Sequence, residues 1–290
     1  MLIVLSLVWG ASFLFIKVAV RELAPATLIL GRLGLAALTL AIVVPLAVGL
    51  RETVAELRTN AGWLVVMGLV NTAIPFWLLS WGETRIDSGL ASIIQASVPI
   101  FNAVVSFGFF REVRVTGLKL LGVGVGFVGV ALLVGAQPHG KVLGALAVVG
   151  MALCYAVAQL FAARHLRGVR PTVVSLAATG VSALAVLPAG VAQAPHHAPS
   201  WKAIGSVAAL GIPGTAFALL LLYALIADAG AAYASLVTYL IPPIALAYGA
   251  IVLGERFGAT AFGSLALILA GVALGTGTLR LRRRRLASAS

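Results

Sequence analysis

The sequence predicts an all-α membrane protein of ten transmembrane helices arranged as two inverted five-helix repeats. Three observations carry that expectation. Of 290 residues, 61% are hydrophobic and 10% charged, with a mean hydropathy of +1.11, whereas a water-soluble domain carries roughly a quarter charged residues. The charges fall between apolar runs of about 20 residues, each long enough at 1.5 Å per residue to cross a hydrocarbon core of roughly 30 Å. Finally, the stretch Ser88 to Glu112 returns as Ala231 to Glu255, with Ser92, Pro99 and Glu112 mapping onto Ser235, Pro242 and Glu255 at an offset of 143 residues. Five spans per half is an odd number, so the second half lies upside down relative to the first.

Taken in order, the spans fall at about 1–20, 25–48, 61–81, 86–109, 116–136, 142–163, 171–192, 202–226, 231–253 and 258–279. The first begins almost at Met1, without a basic segment or a convincing cleavage site before it, and reads as a retained helix. Pro25 opens the second. The repeats are 1–137 and 138–280, and 281–290 is a basic cytoplasmic tail. Links are short, so neighbours pack antiparallel. With the N-terminus inside, the inner links hold 13 Lys and Arg and the outer links six, so both termini are expected to be cytoplasmic. The run Arg282 to Arg285 then reads as a lipid-headgroup anchor, and the net charge of +12 does not call for nucleic acid.

The fourth span is the informative one. Ser88, Ser92, Gln95, Pro99, Asn102 and Ser106 follow helical spacing, and no charge lies between Asp87 and Arg111. A polar stripe of this kind cannot face hydrocarbon; it meets other helices or a cavity. Serines alone are explained by packing, whereas Gln95 and Asn102 each bring two donors and an acceptor to mid-helix.

Arg32 lies about two turns inside the second span, roughly 10 Å deep. Snorkelling to the headgroups or a structural pairing is the favoured reading, and pairing with Glu83, Asp87 or a substrate carboxylate is the functional one. All eight acids, Glu22, Glu52, Glu56, Glu83, Asp87, Glu112, Asp228 and Glu255, fall at span ends or in links. Tight proton coupling is therefore not written in the sequence, although coupling through Glu83 or Asp87 stays open. Glu112 and Glu255 are expected to cap or pair at the ends of the fourth and ninth spans. The run Gly124 to Gly129 matches the dinucleotide fingerprint but lies mid-span with no preceding strand, so Gly122, Gly126, Gly271 and Gly275 read as small faces for helix packing.

The single Cys154 excludes an internal disulfide; His139, His165, His196 and His197 lie in links, and the pair His196-His197 has no two further ligands in view. No metal site, cofactor or catalytic set is expected. A lipid-modifying membrane enzyme seeded by His196, His197 and Lys202 is a lesser alternative, and a passive channel another.

Trp9-Gly10-Ala11-Ser12-Phe13 with Lys17 closing the first span, Pro25 to Arg32 opening the second, and Pro99 or Pro242 followed 13 residues later by Glu112 or Glu255 resemble the drug/metabolite transporter superfamily, EamA-type branch. The second copy departs from the pattern: Cys154-Tyr155 stands near where Trp9-Gly10 would fall, and Lys17 has no clear counterpart. The resemblance implies a ten-helix exporter of small metabolites, often amino acids, in the bacterial inner membrane. The expected substrates are neutral or zwitterionic, aromatic or otherwise hydrophobic amino acids, moved by alternating access; multidrug or lipophilic-cation efflux is the alternative. Candidate substrate-binding residues are Trp9, Asn71, Trp77, Gln95, Asn102, Tyr155, Gln159, Thr238 and Tyr239, with Pro75, Pro99, Pro213, Pro242 and Pro243 as hinges. The expected partners are a small-molecule substrate and the lipid bilayer, with the chain a monomer or homodimer.

Overall fold

The computed structural model describes residues 1–109 and 117–275. Glu112, Arg111, Arg114 and the basic tail lie outside them. The described residues contain helices and no strand: α1 Leu2–Ala19, α2 Pro25–Val48, α3 Leu50–Thr59, α4 Ala61–Glu83, α5 Ser88–Ser106, α6 Leu118–Gly135, α7 His139–His165, α8 Pro171–Ala192, α9 Trp201–Ala229, α10 Val237–Leu253 and α11 Ala259–Gly275. Eight are long and apolar enough to cross a bilayer, and α10 and α11 are shorter apolar helices of 17 residues.

The link expected between the second and third spans is a helix, α3, carrying Arg51, Glu52, Glu56 and Arg58. A search for apolar runs passes over such a short, charged element. The fourth span also differs from one continuous helix. It is built as Ser88–Gln95 and a second segment that starts at Val98, joined where Ser97 N bonds Ile94 O and Ile100 N bonds Ser97 O, at three-residue spacing. Pro99 explains the position of the break, because it supplies no N–H and its ring excludes the carbonyl one turn back. Pro242 and Pro243, by contrast, lie within the continuous α10, which is preceded by the short turn Ala231–Ala234.

Each of α4 and α9 contains a π-helical stretch, Leu69–Ala73 and Ile212–Phe217. The two start 143 residues apart, and Pro75 and Pro213 sit beside or within them. A proline without an N–H removes an i→i−4 bond, and the turn widens to accommodate the loss.

Contacts between helices respect the same offset. α1 packs on α10 and α9, as α7 packs on α5 and α4. α2 packs on α8 and α9, and α8 packs on α2 and α4. α6 meets α11, its own counterpart, along glycines: a methyl added at Gly271 would lie 2.6 Å from Gly122 O and Gly126 N. The glycine run is thus a packing face. Gly124, with open space where its side chain would be, lines an apolar groove with Leu120, Leu121, Val128 and Leu267.

Gly271→Val should force α6 and α11 apart, an overpacking cost of about 1–3 kcal/mol, and lower the melting temperature in detergent. Gly124→Ala should leave it unchanged. Equal melting curves for Gly271→Val and the parent would show that this crossing is not a close one.

Candidate functional site

The carboxylates explain how the helix ends are closed. Glu255, in the turn after α10, reaches the N-terminus of α5: Oε1 accepts from Ser88 N at 2.9 Å and Ser88 Oγ at 3.0 Å, and Oε2 from Gly89 N at 3.2 Å. Glu22 takes Ser200 N at 2.7 Å and Ser200 Oγ at 2.6 Å at the start of α9. Glu56 takes Arg170 N at 3.0 Å at the start of α8 and pairs with the Arg170 guanidinium at 2.8 Å. In each case an anion meets unpaired N–H groups at the positive end of a helix dipole. The Ser200 hydroxyl, and then its amide, hold the exposed Glu22 carboxyl below its ordinary value. This contribution is present at neutral pH and is lost as pH falls through that lowered value. Glu255 was expected to act at the end of its own span; it caps a different one, because antiparallel packing brings the end of α10 beside the start of α5.

Arg32 lies at the centre of the bundle, 6% exposed. Its Nε donates to Thr215 Oγ1 of α9 at 3.0 Å, and its guanidinium lies over the Phe76 ring of α4, 4.0 Å from the centroid. Thr215 Oγ1 in turn donates to Leu210 O at 2.7 Å across the π-helical turn. Tyr155 of α7 is close enough to interact with it electrostatically. Snorkelling is therefore overturned: Thr215 and the Phe76 face draw the side chain inward. Neither Glu83 nor Asp87 pairs with it, for among the described residues the ion pair found is Glu56 with Arg170. Its terminal nitrogens have no protein hydrogen-bond partner among those residues.

The polar stripe on α5 divides in two. Ser88 and Ser92 are sealed, Ser92 Oγ bonding back to Gly89 O at 2.6 Å. Gln95, Pro99 and Asn102 are partly accessible. Asn102 Nδ2 donates to Gln159 Oε1 of α7 at 2.6 Å, joining two predicted site residues. Tyr155, one turn from Gln159, packs against Val98, Phe101, Ala152 and Ala156. Trp9 and Tyr239 pack partly buried against the main core, and Thr238 beside Tyr239 is partly accessible. Asn71 lies in the π-helical turn of α4, partly buried. Trp77 is not brought to these residues; it is 41% exposed and stacks on Trp81, 6.2 Å between ring centroids. Thr215 and Phe76 were not singled out from the sequence. The available signal was the repeat, which sets Thr72-Ala73 against Thr215-Ala216.

The repeat-equivalent ends are packed differently. Ser88, Leu90, Ala91 and Ser92 are buried, whereas Ala231, Tyr233 and Ser235 are exposed. Among the described residues no three His, Cys, Asp or Glu side chains come together.

The model of the EamA-like transporter family matches residues 1–135 and again 142–276. A probable terminal-alkyne amino-acid exporter of Streptantibioticus cattleyicolor is 30% identical, covering 99% of this chain and 95% of its own length. An uncharacterized transporter of Archaeoglobus fulgidus is 27% identical over 91% of this chain and 93% of its own. A crystal structure with 20% identity superposes with a TM-score of 0.65 over 98% of this chain and 96% of the other, which is a likeness of fold.

Glu255→Ala strips three donors of their acceptor at the start of α5. The expected cost is about 1–2 kcal/mol, seen as a lower midpoint of thermal unfolding in detergent. Ser88→Ala leaves both backbone amides capped and should cost less; the reverse order would mean that the cap is not what holds this corner.

Proposed function

The chain belongs to the EamA-like transporter family, and on that premise we propose that it exports small amino acids with apolar side chains by alternating access. The two halves, 1–137 and 138–280, form an inverted repeat in the cell membrane with both termini cytoplasmic. They rock around a shared seam, with the π-helical turns beside Pro75 and Pro213 and the break before Pro99 taking up the change in shape. The end that carries Glu83 and Glu255 faces outward and is the closed one in this conformation.

One observation carries the reading: a buried arginine at the meeting of the halves, with no acid paired to it among the described residues. A guanidinium held by Thr215 and Phe76 presents its remaining N–H groups as a fork that matches a carboxylate. Phe76 and Tyr155 supply aromatic surface near it, and Trp9 and Tyr239 pack against the main core; such surfaces suit the side chain of an aromatic or branched amino acid. Gln95, Asn102 and Gln159 line the accessible continuation of the seam. The relative described as an amino-acid exporter supports the same class. Efflux of lipophilic cations is the second reading, and the cationic centre disfavours it, since like charges repel at short range.

Counterflow of radiolabelled phenylalanine into proteoliposomes loaded with unlabelled phenylalanine tests the proposal. Trans-stimulated, saturable uptake is expected. Arg32→Ala should weaken apparent affinity roughly 10- to 100-fold, the loss of one charge-assisted hydrogen-bonded contact, and Tyr155→Phe should have a smaller effect. Unchanged affinity in Arg32→Ala, or uptake of a lipophilic cation in place of phenylalanine, would overturn it.

A further inference from the structure

Glu22, Glu56 and Glu255 are accounted for by caps, and Glu83 is not. It is the last residue of α4, its side chain is 0% exposed, and both carboxyl oxygens are sealed without a donor. The Ser80 hydroxyl, one turn earlier on the same face, is also sealed and unpartnered. One turn before that, Phe76 carries Arg32. The charged groups acting on Glu83 come from three neighbours: Lys17 of α1, Glu255 after α10 and Arg32 of α2.

Lys17 does not neutralise it by a close ion pair. Its Nζ is tied to the corner between α4 and α5, donating to Glu83 O at 2.7 Å and Ile86 O at 2.6 Å. Around the same corner, Gly82 and Gly144 bring α4 and α7 into backbone contact, and Glu255 caps α5. An ionised carboxylate enclosed in this way lacks both water and donors, and the neutral form avoids most of that penalty. Once the corner separates from α1 and α10, the same carboxyl reaches water and the ionised form is no longer penalised.

We propose that Glu83 is the proton-binding site of this transporter: sealing the end of the bundle that holds it takes up one proton, and opening that end releases it. The proposal rests on the alternating-access reading above. In the binding step one O–H bond forms at a Glu83 oxygen as one breaks in a hydronium ion of the adjoining water, and opening reverses both. The sealed state then holds one more proton than the open one. Lowering the pH on that side favours sealing, and raising it favours opening, by up to about tenfold per pH unit where the two states differ by a full proton. A neutral isostere at this position removes the dependence.

The test compares the full chain with Glu83→Gln. In the infrared spectrum of the purified protein, the carbonyl stretch of a protonated carboxyl is expected at neutral pH, diminishing as pH rises and missing from Glu83→Gln. In proteoliposomes, phenylalanine counterflow is expected to vary with pH in the parent and to lose that variation in Glu83→Gln. Identical infrared spectra for the two proteins, or an identical pH profile, would overturn the proposal. If neither protein moves phenylalanine, the substrate reading fails while the infrared comparison still decides Glu83. Should Glu83→Gln not fold, Glu83→Asp serves instead, with the carboxyl band expected at a shifted frequency and an unshifted band overturning the assignment.

Discussion

Hydrocarbon offers no hydrogen bonds, and every polar group that enters it must find a partner within the protein. That requirement organises this molecule. It makes the described chain helical, and it places acids where helix ends present unpaired N–H groups, as Glu255 does for Ser88 and Glu22 for Ser200. It also turns Arg32 inward to Thr215 and Phe76. What remains unsatisfied under so strict a rule is informative. Among the described residues, the terminal nitrogens of Arg32 have no hydrogen-bond partner in the protein, and the oxygens of Glu83 are sealed without a donor.

These two places lie along one face of α4, with Ser80 between them. The helix that supports them is flanked by contacts on glycine, Gly68 against α8 and Gly82 against α7, so its backbone runs close to both neighbours. The equivalent contacts in the second half recur at Gly211 with α2 and at α1 with α9. Yet the corresponding ends are not equally closed. The serine-rich start of α5 is buried, whereas the stretch before α10 exposes Tyr233 and Ser235. Similar sequence thus stands in two environments, closed at one helix start and open at the other.

Much of this was legible in the sequence. The apolar runs located the helices within a few residues, and the glycine face of α6 could be separated from a nucleotide fingerprint by its context alone. The polar stripe of α5 pointed to an internal face, and Asn102 and Gln159 do meet. Three features were not legible. Helix α3 is too short and charged to register as an apolar run. The break before Pro99 depends on a local choice of hydrogen bonds that proline permits but does not dictate. The direction of the Arg32 side chain is decided by Thr215, 183 residues away in sequence. Trp77 illustrates the converse: an aromatic one turn from Trp81 looks the same in sequence whether it lines a seam or, as here, lies on the exposed flank.

The π-helical turn at Leu69–Ala73 has a consequence for everything that follows it along α4. A turn that contains one residue more than an α-helical turn sets back the azimuth of all later side chains, counted by residue number, by about 100°. Phe76, Ser80 and Glu83 point into the bundle because that offset is present. Straightened into regular α-helix at the same starting phase, α4 would carry them round to a different flank, and the acid now enclosed would be presented elsewhere. The wide turn thus works as a phase setting, and its counterpart at Ile212–Phe217 sets the azimuth for the length of α9 beyond it.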